Sequence, residues 1–213
     1  AKIKSALELL FDGNVLKSSV QDVAGVEGEI RANLLKAGGA AFVPEEPSAF
    51  LPVDAVIDII LGAGGIPTYP FLGDDPQGNY TDFEKDLEKA ARRLAERGIH
   101  GAEFITTRND VKRLEEYATY LNEQGFVVTF GSEHNTPTME PIELFARGGV
   151  PLTERLKRIN YEGACVIAAH QHVVSQGLDG YVNGTGEADR SRRNEFVNLG
   201  EELIRNRINR KTR

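Results

Sequence analysis

The chain has 213 residues, 40% hydrophobic and 27% charged, with a formal net charge of −7. That is enough apolar material for one packed core, and the acidic balance excludes the broad basic surface that nucleic acid or an anionic membrane requires. Cys165 is the single cysteine, which excludes an internal disulfide and a thiolate zinc cage and points to a reducing compartment, the cytoplasm.

Ala1 already lies inside an amphipathic pattern, so a segment upstream of it is expected. Ile3, Leu7, Leu10 and Phe11 recur at three and four, predicting a helix over 3–11 that stops at Gly13. A second helical pattern over 15–35 lines up Val20, Val23, Ile30, Leu34 and Leu35, with Gly25 and Gly28 weakening its middle. The stretch 38–44 reads as a brief strand before a proline-bearing loop that ends at Pro52. From there helices and extended segments alternate: helix 53–61, strand 66–69, helix 82–97, strand 101–105, helix 110–123, strand 126–130. Gly98 and Gly125 close two of these helices, as residues able to take the left-handed conformation after a last helical turn. Such alternation argues for βαβ units in a parallel sheet or barrel.

Downstream, 139–145 and 152–159 read as helices, and the uncharged run 164–174 as either a buried helix or a strand entering one. A Gly- and Asn-rich connection over 177–186 leads to a final amphipathic helix near 194–208. Its basic end, Arg205 to Arg213, reads as a solvated helix terminus whose cations suit the dipole. No repeat is evident, and residues 1–213 are assigned to one domain. No run reaches the ~18 apolar residues of a membrane span, and no signal-peptide order opens the chain.

In parallel α/β architectures, binding groups gather where strands end and loops converge. That rule selects Tyr69, Glu103 and the segment Gly131-Ser132-Glu133-His134-Asn135-Thr136. A carboxylate beside an imidazole, as in Glu133-His134, either brackets loop backbone or holds a divalent ion. Asp74 and Asp75 read as turn caps shaped by Pro76 and Gly78. His170 and His172 would share a face on a strand, suiting a metal, but would diverge on a helix. His100, at the start of its strand, reads as structural. The glycines at 62, 64 and 65 lack the following lysine and helix of a phosphate cradle, and Ser132 lacks the Gly-x-Ser-x-Gly elbow.

Three motifs in order carry a resemblance. Gly64-Gly65-Ile66-Pro67-Thr68-Tyr69-Pro70, Gly98-Ile99-His100-Gly101-Ala102-Glu103 and Gly125 to Asn135 resemble the strands of the PHP (polymerase and histidinol phosphatase) superfamily that end in Ala-His-Pro, in a glutamate, and in Gly-Ser-Asp-x-His. The resemblance spans roughly 38–135. It implies an α/β fold, a distorted β/α barrel related to the TIM barrel and lacking here its N-terminal strand with the His-x-His ligands. It further implies phosphoester hydrolysis by water activated on a divalent metal (Mg, Mn or Zn). Carried onto this sequence, Glu133 and Asn135 would be metal ligands, and Glu103, His134 and Tyr69 catalytic or orienting groups. Tyr69 stands where the family has histidine, and Glu133 and Asn135 stand where it has Asp and His. These departures leave a second reading, a barrel that binds a sugar or sugar phosphate without hydrolysing it. The partners expected are a small-molecule substrate, phosphorylated or carbohydrate, and a second copy of the chain where a missing strand bares an edge.

Overall fold

The computed structural model describes residues 2–75, 77–132 and 142–211, with backbone alone at 210 and 211. The chain, read above as one domain, divides into two compact units, residues 1–51 with 133–141, and residues 52–132 with 142–213.

In the first unit, helix α1 (Lys2–Leu10) lies where periodicity puts it. The helix expected over 15–35 is shorter: α2 is Val23–Ile30, running on into a wider π turn over Arg31–Leu35. Side-chain bonds to backbone explain the loss. Glu29 accepts from the Lys17 and Ser18 amides at 2.9 and 2.6 Å, and Asp22 caps α2 by accepting from the Gly25 amide at 3.0 Å. Backbone donors satisfied in this way have no need of a helical ladder. The strand expected over 38–44 is absent from the described residues. That stretch turns instead, with the Ala41 amide bonded to Leu34 O.

In the second unit, α3 (Val53–Gly62), β1 (Thr68–Phe71), α4 (Leu87–Glu96), β2 (Gly101–Ile105), α5 (Val111–Glu123) and β3 (Val127–Gly131) follow the expected alternation. The strands are parallel in the order β1-β2-β3, with Phe71, Phe104 and Phe130 in one row and Pro70, Glu103 and Thr129 in the next. Among the described residues this sheet has three strands and does not close. Asp86 caps α4 and Asp110 caps α5 by accepting from first-turn amides. Leu114, Tyr117, Ala118 and Leu121 recur at three and four along α5, and all four are buried. They pack with Ala91 and Leu94 of α4 against Ala102, Phe104, Val128 and Phe130. Both crossover helices therefore lie on one face of the sheet.

Helix α4 starts five residues later than periodicity suggests, because Glu84 is drawn inward (below). The expected helix over 139–145 is a second difference. Of it, 139–141 lie outside the described residues, and Phe145–Ala146 forms β4, paired antiparallel with β5 (Val150–Pro151) across Gly148 and Gly149 at φ 73° and 75°. The two stretches read separately at 152–159 and 164–174 are one continuous helix, α6 (Glu154–Val174). Gly163 lets α6 meet the sheet: a β-carbon there would strike Val128 O. One turn earlier, Asn160 Oδ1 accepts from the Phe130 amide at 2.8 Å, so α6 covers the outer edge of β3. Helix α7 (Arg193–Lys211) crosses α6 at Gly200, where a β-carbon would strike Cys165 O.

The opposite edge, on β1, is blunted by chemistry. Pro67 O accepts from the Gly101 amide at 2.9 Å, so alternation leaves Thr68 and Pro70 at the free edge. Pro70 has no N–H to offer, and the next outward donor, the Leu72 amide, is bonded to Glu84 at 3.0 Å.

No helix among the described residues is long and apolar enough to cross a membrane.

Candidate functional site

The ends of β1 and β2 and the β4–β5 hairpin are tied by a polar network that starts from two buried carboxylates. Glu84 is fully buried and accepts from the Leu72 and Gly73 amides, both at 3.0 Å, and from Tyr69 Oη at 3.2 Å. Asp74, 4% exposed, accepts from the Asp110 amide at 3.1 Å and from Arg147 Nη1 at 3.0 Å. The Arg147 guanidinium also donates to Asp74 O at 2.6 Å and, from Nε, to Arg108 O at 2.9 Å. Asn109 closes the ring, its Oδ1 accepting from the Asp74 amide and its Nδ2 donating to Ile105 O, each at 3.0 Å. Arg147 thus braces three chain segments.

Asp75, expected to cap a turn, does so by accepting from the Gln77 and Asn79 amides at 2.9 and 2.8 Å. The Asn79 bonds above all hold its carboxyl below the ordinary range. Asp74, read in the same way, has the larger role of pairing with Arg147.

Tyr69 and Glu103, expected together at one mouth, lie on opposite faces of the sheet. Tyr69 is in register with Ala102 and shares the helix-covered face, its ring against Phe71 and Phe83. Burial first, then the Glu84 charge and hydrogen bond, push its phenol up to about 12. A phenol so held stays protonated and donates to Glu84. Glu103 pairs in register with Pro70 and Thr129 on the other face and is exposed. Its carboxylate reaches across to the end of β3, where a β-carbon on Gly131 would come within 2.8 Å of Oε1.

Glu133, His134 and Asn135 lie outside the described residues. A divalent metal needs several oxygen or nitrogen donors together, and among the described residues no three His, Cys, Asp or Glu groups cluster to supply them.

The histidines are accounted for differently. His172 is exposed on α6, its Nε2 2.8 Å from Gln176 Nε2. His170 is buried on another side of the same helix, with Nε2 3.0 Å from Gly64 O. As a helix requires, the pair diverges and forms no joint site. His100 is buried with Nε2 3.0 Å from Gly186 O, the structural placement expected of it.

Sequence reasoning passed over Glu84 and Arg147. Glu84 carried a faint signal as an acidic residue between Phe83 and the helix-capping Asp86. Arg147 carried none, since its partner lies 73 residues away. Comparison with protein-family models, curated proteins and solved structures gave no match.

Proposed function

We propose that the chain carries the downstream part of a PHP-type β/α barrel that hydrolyses a phosphoester, with Glu103 at the reacting centre. One observation carries the reading: an exposed carboxylate on the face opposite α4 and α5, beside Gly131 at the C-terminal end of β3. Sequential strand order with both crossover helices on one face is how a barrel is wound, and it supports the same view. Glu103 would accept a hydrogen bond from the attacking water and orient it toward phosphorus. Thr129, in register beside it, lines the same face. The divalent ion that the family resemblance implies would lower the pKa of that water and polarise the phosphoryl oxygen.

The test is Glu103→Gln, assayed with p-nitrophenyl phosphate under magnesium, manganese and zinc, in this chain and in the longest natural reading frame that contains it. Metal-dependent turnover is expected to fall at least ~100-fold, the scale of a lost acid–base group, with the melting temperature unchanged because the side chain is exposed. Undiminished turnover in the variant sinks the assignment.

Tyr69 favours a second reading. The residue at the family's histidine position is turned to the helix-covered face and tied to Glu84, which suits a barrel that binds a sugar or sugar phosphate without hydrolysis. Calorimetry separates the two: binding without metal dependence or turnover selects the second.

A further inference from the structure

At the N-terminal end of the sheet, the segment 180–193 is fastened by groups that the proposed function does not use. Tyr181 Oη donates to Gly125 O at 2.7 Å, and Arg193 Nη1 donates to Phe126 O at 3.1 Å. Val182 and Ala188 form an antiparallel bridge that brings Gly186 against Gly98, where a β-carbon on either glycine would stand 3.2 Å from the other's backbone. Two imidazoles border the segment, His100 bonded to it directly and His170 reaching it only through Gly180. His100, 6% exposed, bonds Gly186 O. His170, 2% exposed, bonds Gly64 O in the turn before β1, with Gly180 packed on its ring so that a β-carbon there would strike Nδ1.

A carbonyl can only accept, so in each ring Nε2 carries the proton and Nδ1 holds the lone pair. Each Nδ1 is buried and has no protein partner among the described residues. Adding a proton creates a buried cation whose new N–H has no acceptor among the described residues, with the cost of an unpaired buried charge. We propose that His100 and His170 form a two-point latch, closed when both rings are neutral and opened by protonation, that releases the 180–189 segment from the base of the sheet.

The surroundings favour the neutral ring at both points. Burial chiefly holds His100 below the ordinary histidine range, and the Arg190 charge adds to it, against the opposing bond to Gly186. Burial likewise lowers His170, opposed by its bond to Gly64, and no charged side chain among the described residues acts on it. The linkage follows from the sign of the shift. A folded value below the unfolded ~6.5 means that the unfolded state binds more protons in that window. The latch therefore contributes fully above about 6.5 and weakens as pH falls toward the lowered folded value.

The test is hydrogen–deuterium exchange of the full chain at pH 7.5 and 5.5, corrected for intrinsic rates. Protection over 182–188 is expected to hold down to about pH 6.5 and then to fall by up to about tenfold per ring for each further pH unit, the ratio of one proton per unit, while protection over 101–105 and 127–131 holds. In His100→Gln/His170→Gln, where an amide N–H can replace Nε2–H without titrating, the fall should vanish. Protection in the wild type that does not change with pH, or that falls equally in the double variant, overturns the latch. If the double variant does not fold, nitrogen-15 shifts of the wild-type imidazoles decide. Neutral Nε2–H rings at pH 7.5 that become cationic as 182–188 loses protection support it, and a ring already cationic at 7.5, or one that titrates with no loss of protection, refutes it.

Discussion

The two ends of the parallel sheet are held by different chemistry. At the C-terminal end, carboxylates and a guanidinium reach across from chain segments far apart in sequence, with Glu84 and Asp74 each taking several donors. At the N-terminal end, the His100 imidazole, a tyrosine hydroxyl and close glycine contacts fasten the 180–193 segment, and His170 ties α6 to Gly64 beside it. The first kind of attachment depends on partners being present, because a buried carboxylate left alone is costly. The second depends on fit and on the absence of a proton. Acid should therefore loosen the N-terminal end in the histidine window.

The largest test of this contrast is Glu84→Ala. It strips the Leu72 and Gly73 amides and the Tyr69 hydroxyl of their acceptor, at about 1–3 kcal/mol for each buried group left unpaired, so a total loss of ~4 kcal/mol is expected in denaturant unfolding. Glu84→Gln, which keeps one acceptor oxygen, should lose less. Arg147→Met comes next. Asp74 keeps the Asp110 amide but loses its cation, and because Arg147 is 28% exposed the cost should sit below the 3–5 kcal/mol of a fully buried pair, at ~2 kcal/mol. The double change Asp74→Asn/Arg147→Met should cost less than the sum of its parts, since the residues touch. A simple sum would mean that they act separately.

At the base, Gly180→Ala drives a methyl group into the His170 ring, and a loss of ~1–2 kcal/mol is expected from overpacking. That loss should shrink below pH 6, where the latch already contributes less. An unchanged loss at pH 5.5 would mean that ring and glycine are not coupled. The smallest effect belongs to Asp75→Asn. Its carboxyl is lowered by exposed turn bonds, so its contribution is present above the unfolded value near 3.8 and fades as pH falls below it. No shift in melting temperature is expected between pH 6 and 8, and a clear shift there would place Asp75 in the network with Asp74.

Much of the scaffold could be read before any coordinates. Period-3.6 patterns in α4 and α5 and glycines at 98 and 125 act locally, so the βαβαβ segment is legible in the sequence. What was misjudged depended on distant partners. The helix expected from 82 begins at Leu87 because the Glu84 carboxylate is used by amides eleven and twelve residues earlier. The helix expected over 15–35 loses its first third to Glu29 and Asp22. Strand ends were placed within two residues, yet which face each residue takes was not drawn from them. Ala102 and Phe104 flank Glu103, and Tyr69 precedes Phe71 by two, so the alternation already set Tyr69 and Glu103 apart. Only the register across strands makes that separation plain.

Helix α6 is fixed to its surroundings at three places along its length: Asn160 on the Phe130 amide, Gly163 on Val128 O, and His170 on Gly64. Each residue advances a helix by about 100° and 1.5 Å. One residue inserted or deleted between 163 and 170 would swing the imidazole about a quarter-turn off its carbonyl while the first two contacts stayed in place. Length variation in related chains should therefore be confined outside 160–170, and the exposed turn near Gly177 is where an added residue would disturb none of the three.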